Sequence, residues 1–426
     1  MNGWLFIVAC VAVLTWVAIC LAYDKRPRFL RPVTFITILC IWLAALWTLI
    51  RRFTEGLGAV SGMNDAAPWG LWIGADVFAG VALAAGGFVI AATVHIFRIE
   101  RFKPILRPTI LTAFLGYMLV AVALFIDIGR PLSWWHPLVM WQHHSIMFEV
   151  TWCVILYSTV LAIETSPPVL ERLGLTRLLR VVQMTTIPVV IAGVILSTMH
   201  QSSLGSLYLI VPEKLYPLWY SPLLPVFFLI SAVAAGMCVV IVESFFSAKI
   251  LNHGLESMLM RDLGRAAAII LFVYLAIKIA DLTARGSLGM VFEGSLQSRL
   301  FLLEMVGCVA LPAILLSIRK VRLLPRWLLG ASLLVMAGIV LNRINVSWFG
   351  MSVSDHLHYI PTWMEIALSL AFITGGTVIF LLAVHFLPIF PETRDEPAET
   401  RLNPLSPGVH STAPPSKAAA FRGLPR

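Results

Sequence analysis

Residues 68–97, PWGLWIGADVFAGVALAAGGFVIAATVHIF, carry one formally charged side chain, Asp76, and run straight into Arg98, Arg101, Lys103 and Arg107. About 20 apolar residues suffice to cross the hydrocarbon of a bilayer as a helix, so this stretch reads as a membrane span ending in a basic loop. Working outward, similar stretches lie near 3–23, 33–50, 106–127, 145–165, 177–199, 222–247, 262–284, 299–318, 325–344 and 362–387, giving about eleven spans. With 59% hydrophobic and 12% charged residues and a mean hydropathy of +0.89, the chain lacks the polar surface of a water-soluble fold. The expected class is all-α integral membrane.

Charge sets the orientation. The loops after the first, third, fifth, seventh and ninth spans hold eighteen Lys and Arg, whereas the alternate loops hold seven: Arg51, Arg52, Arg130, Lys214, Arg285, Arg299 and Arg343. The positive-inside rule places the richer set in the cytoplasm, the N-terminus outside and the C-terminus inside. The net charge of +9 thus follows topology, and no basic arm suggests nucleic acid. The apolar run at 3–23 precedes its basic cluster, the order of an uncleaved anchor rather than a signal peptide. Beyond 391 the chain is rich in Pro, Ser, Thr and Ala and reads as a disordered cytoplasmic tail.

Redox ligands are scarce. Cys10, Cys20, Cys40, Cys153, Cys238 and Cys308 form no C-x-x-C unit, so neither an iron–sulfur cluster nor a c-type haem is expected. A b-type haem would need paired histidines, for which His95 and His385 are the candidates. That rival reading predicts a Soret band.

An internal repeat organises the middle. Phe148-Glu149-x-x-x-Cys153-Val-x-Leu matches Leu303-Glu304-x-x-x-Cys308-Val-x-Leu, and Asp127-x-x-Arg130 precedes the first as Asp281-x-x-x-Arg285 precedes the second. The expectation is two related four-helix bundles in parallel orientation plus flanking helices. Divided accordingly, residues 1–67 hold N-terminal helices and an outer loop, 68–221 and 222–361 the two units, 362–390 the last span and 391–426 the tail.

Charges at the centre of a span cost about 2.5–3.5 kcal/mol on insertion scales, and they line pathways or pair with one another. Asp76 stands eight residues into its span, about 12 Å along the axis. Asp127, Glu149, Asp281 and Glu304 occupy the outer parts of their spans and Glu243 the inner end of another. Lys278, Asp281 and Arg285 share one helix face, either as a self-neutralising cluster or as a proton relay. One outer loop holds Trp134, Trp135, His136, Trp141, His143 and His144; another starts Thr198-Met-His200-Gln201-Ser202-Ser203 and runs to Trp219. The second suits a ligand with a polar head and an apolar tail. Thr362-x-x-Glu365 reads as a capping box, Ser221-Pro222 as a helix start, and Gly70, Gly74, Gly80, Gly86 and Gly87 as close-packing positions.

The segments Pro68-Trp69-Gly70-Leu-Trp72-Ile-Gly-Ala-Asp76, Ile126-Asp127-Ile-Gly129-Arg130, Met147-Phe148-Glu149, Thr198-Met-His200-Gln201-Ser202-Ser203-x-Gly205-Ser206 and Pro361-Thr362-Trp363 resemble the NrfD/PsrC family of quinone-interacting membrane subunits, in particular its HybB-type members. The likeness covers roughly 33–390; the apolar run at 3–23 is an addition to the ten spans of HybB-type chains. The resemblance implies a bacterial inner-membrane subunit of a respiratory complex without haem or iron–sulfur cluster of its own. It would exchange electrons between menaquinone or ubiquinone and a periplasmic iron–sulfur partner that serves a catalytic subunit. Carried over, Trp69, Trp72, Asp76, Asp127, Arg130, His200, Gln201 and Ser203 would form the quinone site, with Arg130 orienting Asp127. Glu149, Glu243, Lys278, Asp281 and Glu304 would be candidate proton relays. A secondary transporter is the other rival, since parallel repeats and intramembrane acids occur there too.

Overall fold

The computed structural model describes residues 30–64, 69–251, 254, 256–351 and 359–390. The span expected at 3–23 and the tail beyond 391 lie outside them. Among the described residues ten helices are long and apolar enough to cross a membrane. They are α1 (Phe35–Glu55), α2 (Trp72–Ile96), α3 (Glu100–Asp127), α4 (Ile146–Leu173), α5 (Thr186–Ile210), α6 (Leu224–Ile250), α7 (Ser257–Ala284), α8 (Leu296–Ser317), α9 (Pro325–Phe349) and α10 (Trp363–Phe386).

Eight of them form two four-helix bundles with the same order of neighbours. Helix α2 packs on α3, α3 on α4, α4 on α5, and α5 back on α2; α6 to α9 repeat that circuit. The bundles meet through α2 on α6, α5 on α6 and α9 on α2, while α10 packs on α1 and α3 at the flank. Each bundle therefore offers its first and last helices to the other, as a parallel duplicated unit would.

Burial ranks the helices. Over its most apolar window α2 is 83% buried, against 17% for α1 and for α10. Helix α2 is thus the axis of the protein, and α1 presents Phe35, Leu39, Leu43, Trp47 and Ile50 to its surroundings, which in hydrocarbon carries no penalty. Where α2 crosses α6, two glycines allow backbone to touch backbone: a Cβ on Gly86 would lie 2.9 Å from the Gly236 carbonyl oxygen.

Among the described residues four π-helical segments interrupt the spans, Trp72–Ala79, Ala92–Ile96, Leu303–Ala310 and Asn345–Phe349. A π turn adds a residue and rotates the following side chains relative to the α-helical face. Asp76, Glu304 and Asn345 all sit in such turns.

Two expectations change. The span expected at 177–199 is displaced: Thr176–Met184 is a separate helix with Arg177 and Arg180 exposed, and the crossing helix is Thr186–Ile210. Those two arginines favour the headgroup region over the hydrocarbon, so the crossing uses the next apolar stretch. The string from Thr198 to Ser206 is therefore helix, not an outer loop. Arg52 and Arg343, counted with the outer loops, are buried within helical segments at 3% and 1% exposure, which sharpens the charge asymmetry between the two ends.

Candidate functional site

At the ends of α1, α2, α3 and α10 opposite the basic loops, several acids converge. The first π turn of α2 faces Asp76 toward α10, where its carboxylate accepts a 2.7 Å hydrogen bond from the Ser369 hydroxyl. Trp72, buried one turn earlier, donates its indole N–H to the Glu365 carbonyl at 3.1 Å. Asp127 ends α3, and its Oδ1 is buried without a hydrogen-bond partner among the described residues. Arg52 of α1 supplies the cation whose charge acts on Asp127. Its guanidinium donates to the carbonyls of Ile126 and Ile128, each at 2.7 Å. Asp76, Asp127 and Glu365 also feel one another's charge. Three acids and one arginine thus share a corner of low dielectric, where such couplings are strong.

Glu365 has more to do than its capping box requires. Besides exchanging hydrogen bonds with Thr362, its carboxylate accepts from the Gly62 N–H at 3.1 Å and from the Tyr359 hydroxyl, which itself accepts from the Leu71 N–H at 2.8 Å. Burial and the adjacent Glu365 carboxylate push the Tyr359 phenol well above its ordinary value, so it stays a donor.

A second group follows the seam between α4 and α5. Positions 193, 197, 200 and 203 recur at four- and three-residue spacings and so line one face of α5. On that face Ser203 donates to Glu149 of α4 over 2.6 Å. His200 is fully buried, and neither ring nitrogen has a hydrogen-bond partner among the described residues. Its ring stands edge-on to Tyr117 of α3 at 5.5 Å, and Tyr117 stands edge-on to Tyr157 of α4 at 4.6 Å. Further along α4, Glu164 acts on Tyr157 and approaches Gly193. From Glu149 to Glu164 is about 22 Å of helix rise. Gln201 fixes the seam to α2 by donating to the Val81 carbonyl at 3.0 Å.

The second bundle fills the corresponding place differently. Glu304 of α8 accepts from Trp219 at 3.0 Å and from the Asn342 and Asn345 amides, each at 2.7 Å. Arg343 of α9 donates to Asn342, to Ser231 and to the Phe228 carbonyl of α6, and lies 3.5 Å over the Phe228 ring. Gln201 and Arg343 thus each reach a backbone carbonyl on the first helix of their own bundle. Asp281 pairs with Arg285 at 2.8 Å and accepts from Ser221 at 2.8 Å. Lys278 rests over the rings of Phe227 and Phe301, at 4.8 and 5.8 Å.

The sequence-derived candidates therefore divide into three. Asp76, Trp72 and Asp127 belong to the acid corner; His200, Gln201, Ser203 and Glu149 to the first seam; Lys278, Asp281 and Glu304 to the second bundle. Trp69 is partly buried edge-on to Tyr208 at 5.2 Å. Glu243 faces Thr112 of α3. Arg130 is exposed, and the guanidinium placed by Asp127 is that of Arg52. Sequence reading also missed Ser369, Tyr359, Tyr117, Tyr157 and Glu164; the four-residue step from Glu365 to Ser369 was the one available hint.

The family model described as "Polysulphide reductase, NrfD" matches residues 59–355. The chain belongs to this family. Asp76, Asp127, Glu149, His200 and Glu304 fall inside the match, whereas Arg52, Glu365 and Ser369 lie outside it. Among relatives, a protein of Nitratidesulfovibrio vulgaris is 41% identical, covering 87% of this chain and 98% of its own length. The "Probable Ni/Fe-hydrogenase 2 b-type cytochrome subunit" of Escherichia coli is 31% identical over 80% of this chain and 88% of its own. The "Menaquinone reductase, integral membrane subunit" of N. vulgaris is 29% identical over 86% and 93%. This NrfD chain thus aligns with nearly whole relatives rather than with a shared fragment.

Proposed function

We propose that the chain is the quinone-interacting membrane subunit of a respiratory oxidoreductase, passing electrons between a periplasmic iron–sulfur subunit and a membrane quinone of the menaquinone or ubiquinone class. The observation that carries this reading is the acid corner of half-buried Asp76 and Asp127 and buried Glu365 beside the lipid-facing helices α1 and α10. Such acids are costly in hydrocarbon, and where they are not neutralised by pairing they mark a polar ligand or a proton route. The names of the relatives fit, since one is a menaquinone reductase subunit and another a hydrogenase subunit.

Reducing a quinone takes two electrons and two protons, and oxidising the quinol returns them. The electrons belong to the partner subunit, and the protons fall to this chain. Asp76, steadied by Ser369, would exchange a proton with one quinone oxygen. Arg52 would hold the charge of Asp127 when that acid is ionised. Among the described residues neither nitrogen of His200 has a partner, so it can accept and donate along the seam, with Ser203 and Glu149 on one side and Tyr117, Tyr157 and Glu164 on the other. Glu243 would serve as a further acid toward the basic end. In the second bundle Glu304 is saturated by three donors and Asp281 is ion-paired, so we assign both, with Lys278, to holding that bundle's charge in balance. The basic loops would face the cytoplasm of a bacterial inner membrane and the acid corner the periplasm.

The test is turnover in the complete complex. With Asp127→Asn, quinone turnover should collapse while the catalytic partner still reacts with an artificial dye; equal loss of both activities would move Asp127 out of the site.

The E. coli relative's name raises a b-type haem, for which His95 and His385 would be the ligands. His95 lies at the end of α2 beside α5 and His385 in the last turn of α10; a Soret band in the purified subunit would favour that reading, and we adopt no step through a haem.

A further inference from the structure

At the basic end of the second bundle, the start of α7 and the turn between α8 and α9 enclose a cavity of about 320 Å³ whose walls include Arg261, Arg265, Arg319 and Arg322. Among the described residues the one acid on its wall, Asp262, is already paired with Arg101 at 2.7 Å, so the cavity keeps the excess charge of four guanidinium groups. Arg322 is anchored by donating to the Leu316 and Ser317 carbonyls at the end of α8, and Arg261 by donating to the Ser257 carbonyl at 3.0 Å. Arg265 and Arg319 are exposed at the rim. A second cavity of about 130 Å³ adjoins the first through Arg261, Arg322 and Leu323, and the rest of its wall is apolar but for Ser257, with Ile241, Phe245 and Leu328.

From this geometry we infer that the cavity holds the headgroup of an anionic phospholipid. Charge that only sets topology needs to be on the correct side of the membrane and has no reason to converge on a concavity. Guanidinium groups present planar forks that match phosphate oxygens, and basic pockets between membrane helices suit phosphodiester headgroups. The apolar annex beside the arginines would take the first carbons of an acyl chain, which a free phosphate does not have. Helix ends at Ser257, Ser317 and Pro325 put the site at the level where headgroups lie.

Native mass spectrometry of the full chain, released from phosphatidylcholine nanodiscs doped with phosphatidylglycerol or cardiolipin, tests this. The wild type should retain an anionic lipid, and Arg265→Gln with Arg319→Gln should cut retention by about tenfold, one decade in affinity. Arg265→Lys with Arg319→Lys should keep most of it, which separates loss of charge from loss of fold. Arg177→Gln with Arg180→Gln removes equal charge from a basic segment elsewhere and should change nothing. Unaltered retention in the first variant overturns the proposal, as does equal loss in the Arg177 and Arg180 variant. A third arm adds millimolar inorganic phosphate to delipidated protein: thermal stabilisation that needs Arg265 and Arg319, with no lipid retained in the nanodisc arm, would assign the cavity to a free anion instead.

Discussion

Ser369 and Asp76, 293 residues apart in sequence, are joined by a 2.7 Å hydrogen bond between α10 and α2. The bond ties a flanking helix to the most buried helix of the protein, and it completes the acid corner with a residue outside the matched family region.

Ser369→Ala should leave the fold intact and weaken the site. Losing a hydrogen bond to a half-buried carboxyl costs about 1–3 kcal/mol, so quinone turnover by the complex should drop by about ten- to a hundredfold. Dye reduction by the catalytic partner should not change. Wild-type quinone kinetics in this variant would show that the bond is only structural.

His200→Ala should abolish quinone turnover and again spare the dye reaction. The imidazole makes no hydrogen bond to another described side chain, so its removal strands no partner and the protein should fold. Unchanged quinone kinetics would remove His200 from the route.

Glu149→Gln and Glu164→Gln separate proton movement from quinone binding. Both keep the size of the side chain and lose the exchangeable acid. In proteoliposomes the expected result is a lower ratio of protons moved to electrons transferred, with quinone affinity retained; a normal ratio for both variants rules out the seam as a proton path. Glu243→Gln should behave in the same way if it extends that path.

Much of this was legible in the sequence. Span count, the two-bundle organisation and the intramembrane acids follow from hydropathy, the Glu-x-x-x-Cys repeat and the expense of charge in hydrocarbon. Those signals are one-dimensional. The pairing of Asp76 with Ser369, of Glu149 with Ser203 and of Arg52 with the end of α3 depends on how helices are rotated about their axes, which apolar composition does not encode when nearly every position is apolar. The π turns at Trp72–Ala79 and Leu303–Ala310 hide the register further. Arg52 was misplaced for the same reason: a basic residue near a span end looks like loop charge until the opposing carbonyls are in view.

Arg343 offers a test of stability apart from quinone chemistry. Arg343→Ala would strip donors from Asn342, Ser231 and the Phe228 carbonyl. Leaving buried polar partners unsatisfied costs about 1–3 kcal/mol each, so Tm in detergent should fall markedly. Arg130→Ala, at an exposed position, should leave Tm unchanged. Equal Tm values for both variants would contradict a structural role for Arg343.

Asp76→Asn gives the most direct test of the acid corner. Asparagine can still accept from Ser369 but has no carboxyl proton to exchange. In the intact complex, quinone should still bind, seen as unaltered quench of tryptophan fluorescence on titration, while steady-state quinone turnover falls by roughly a hundredfold or more, within the range of general acid–base contributions. Wild-type turnover by Asp76→Asn would contradict the account.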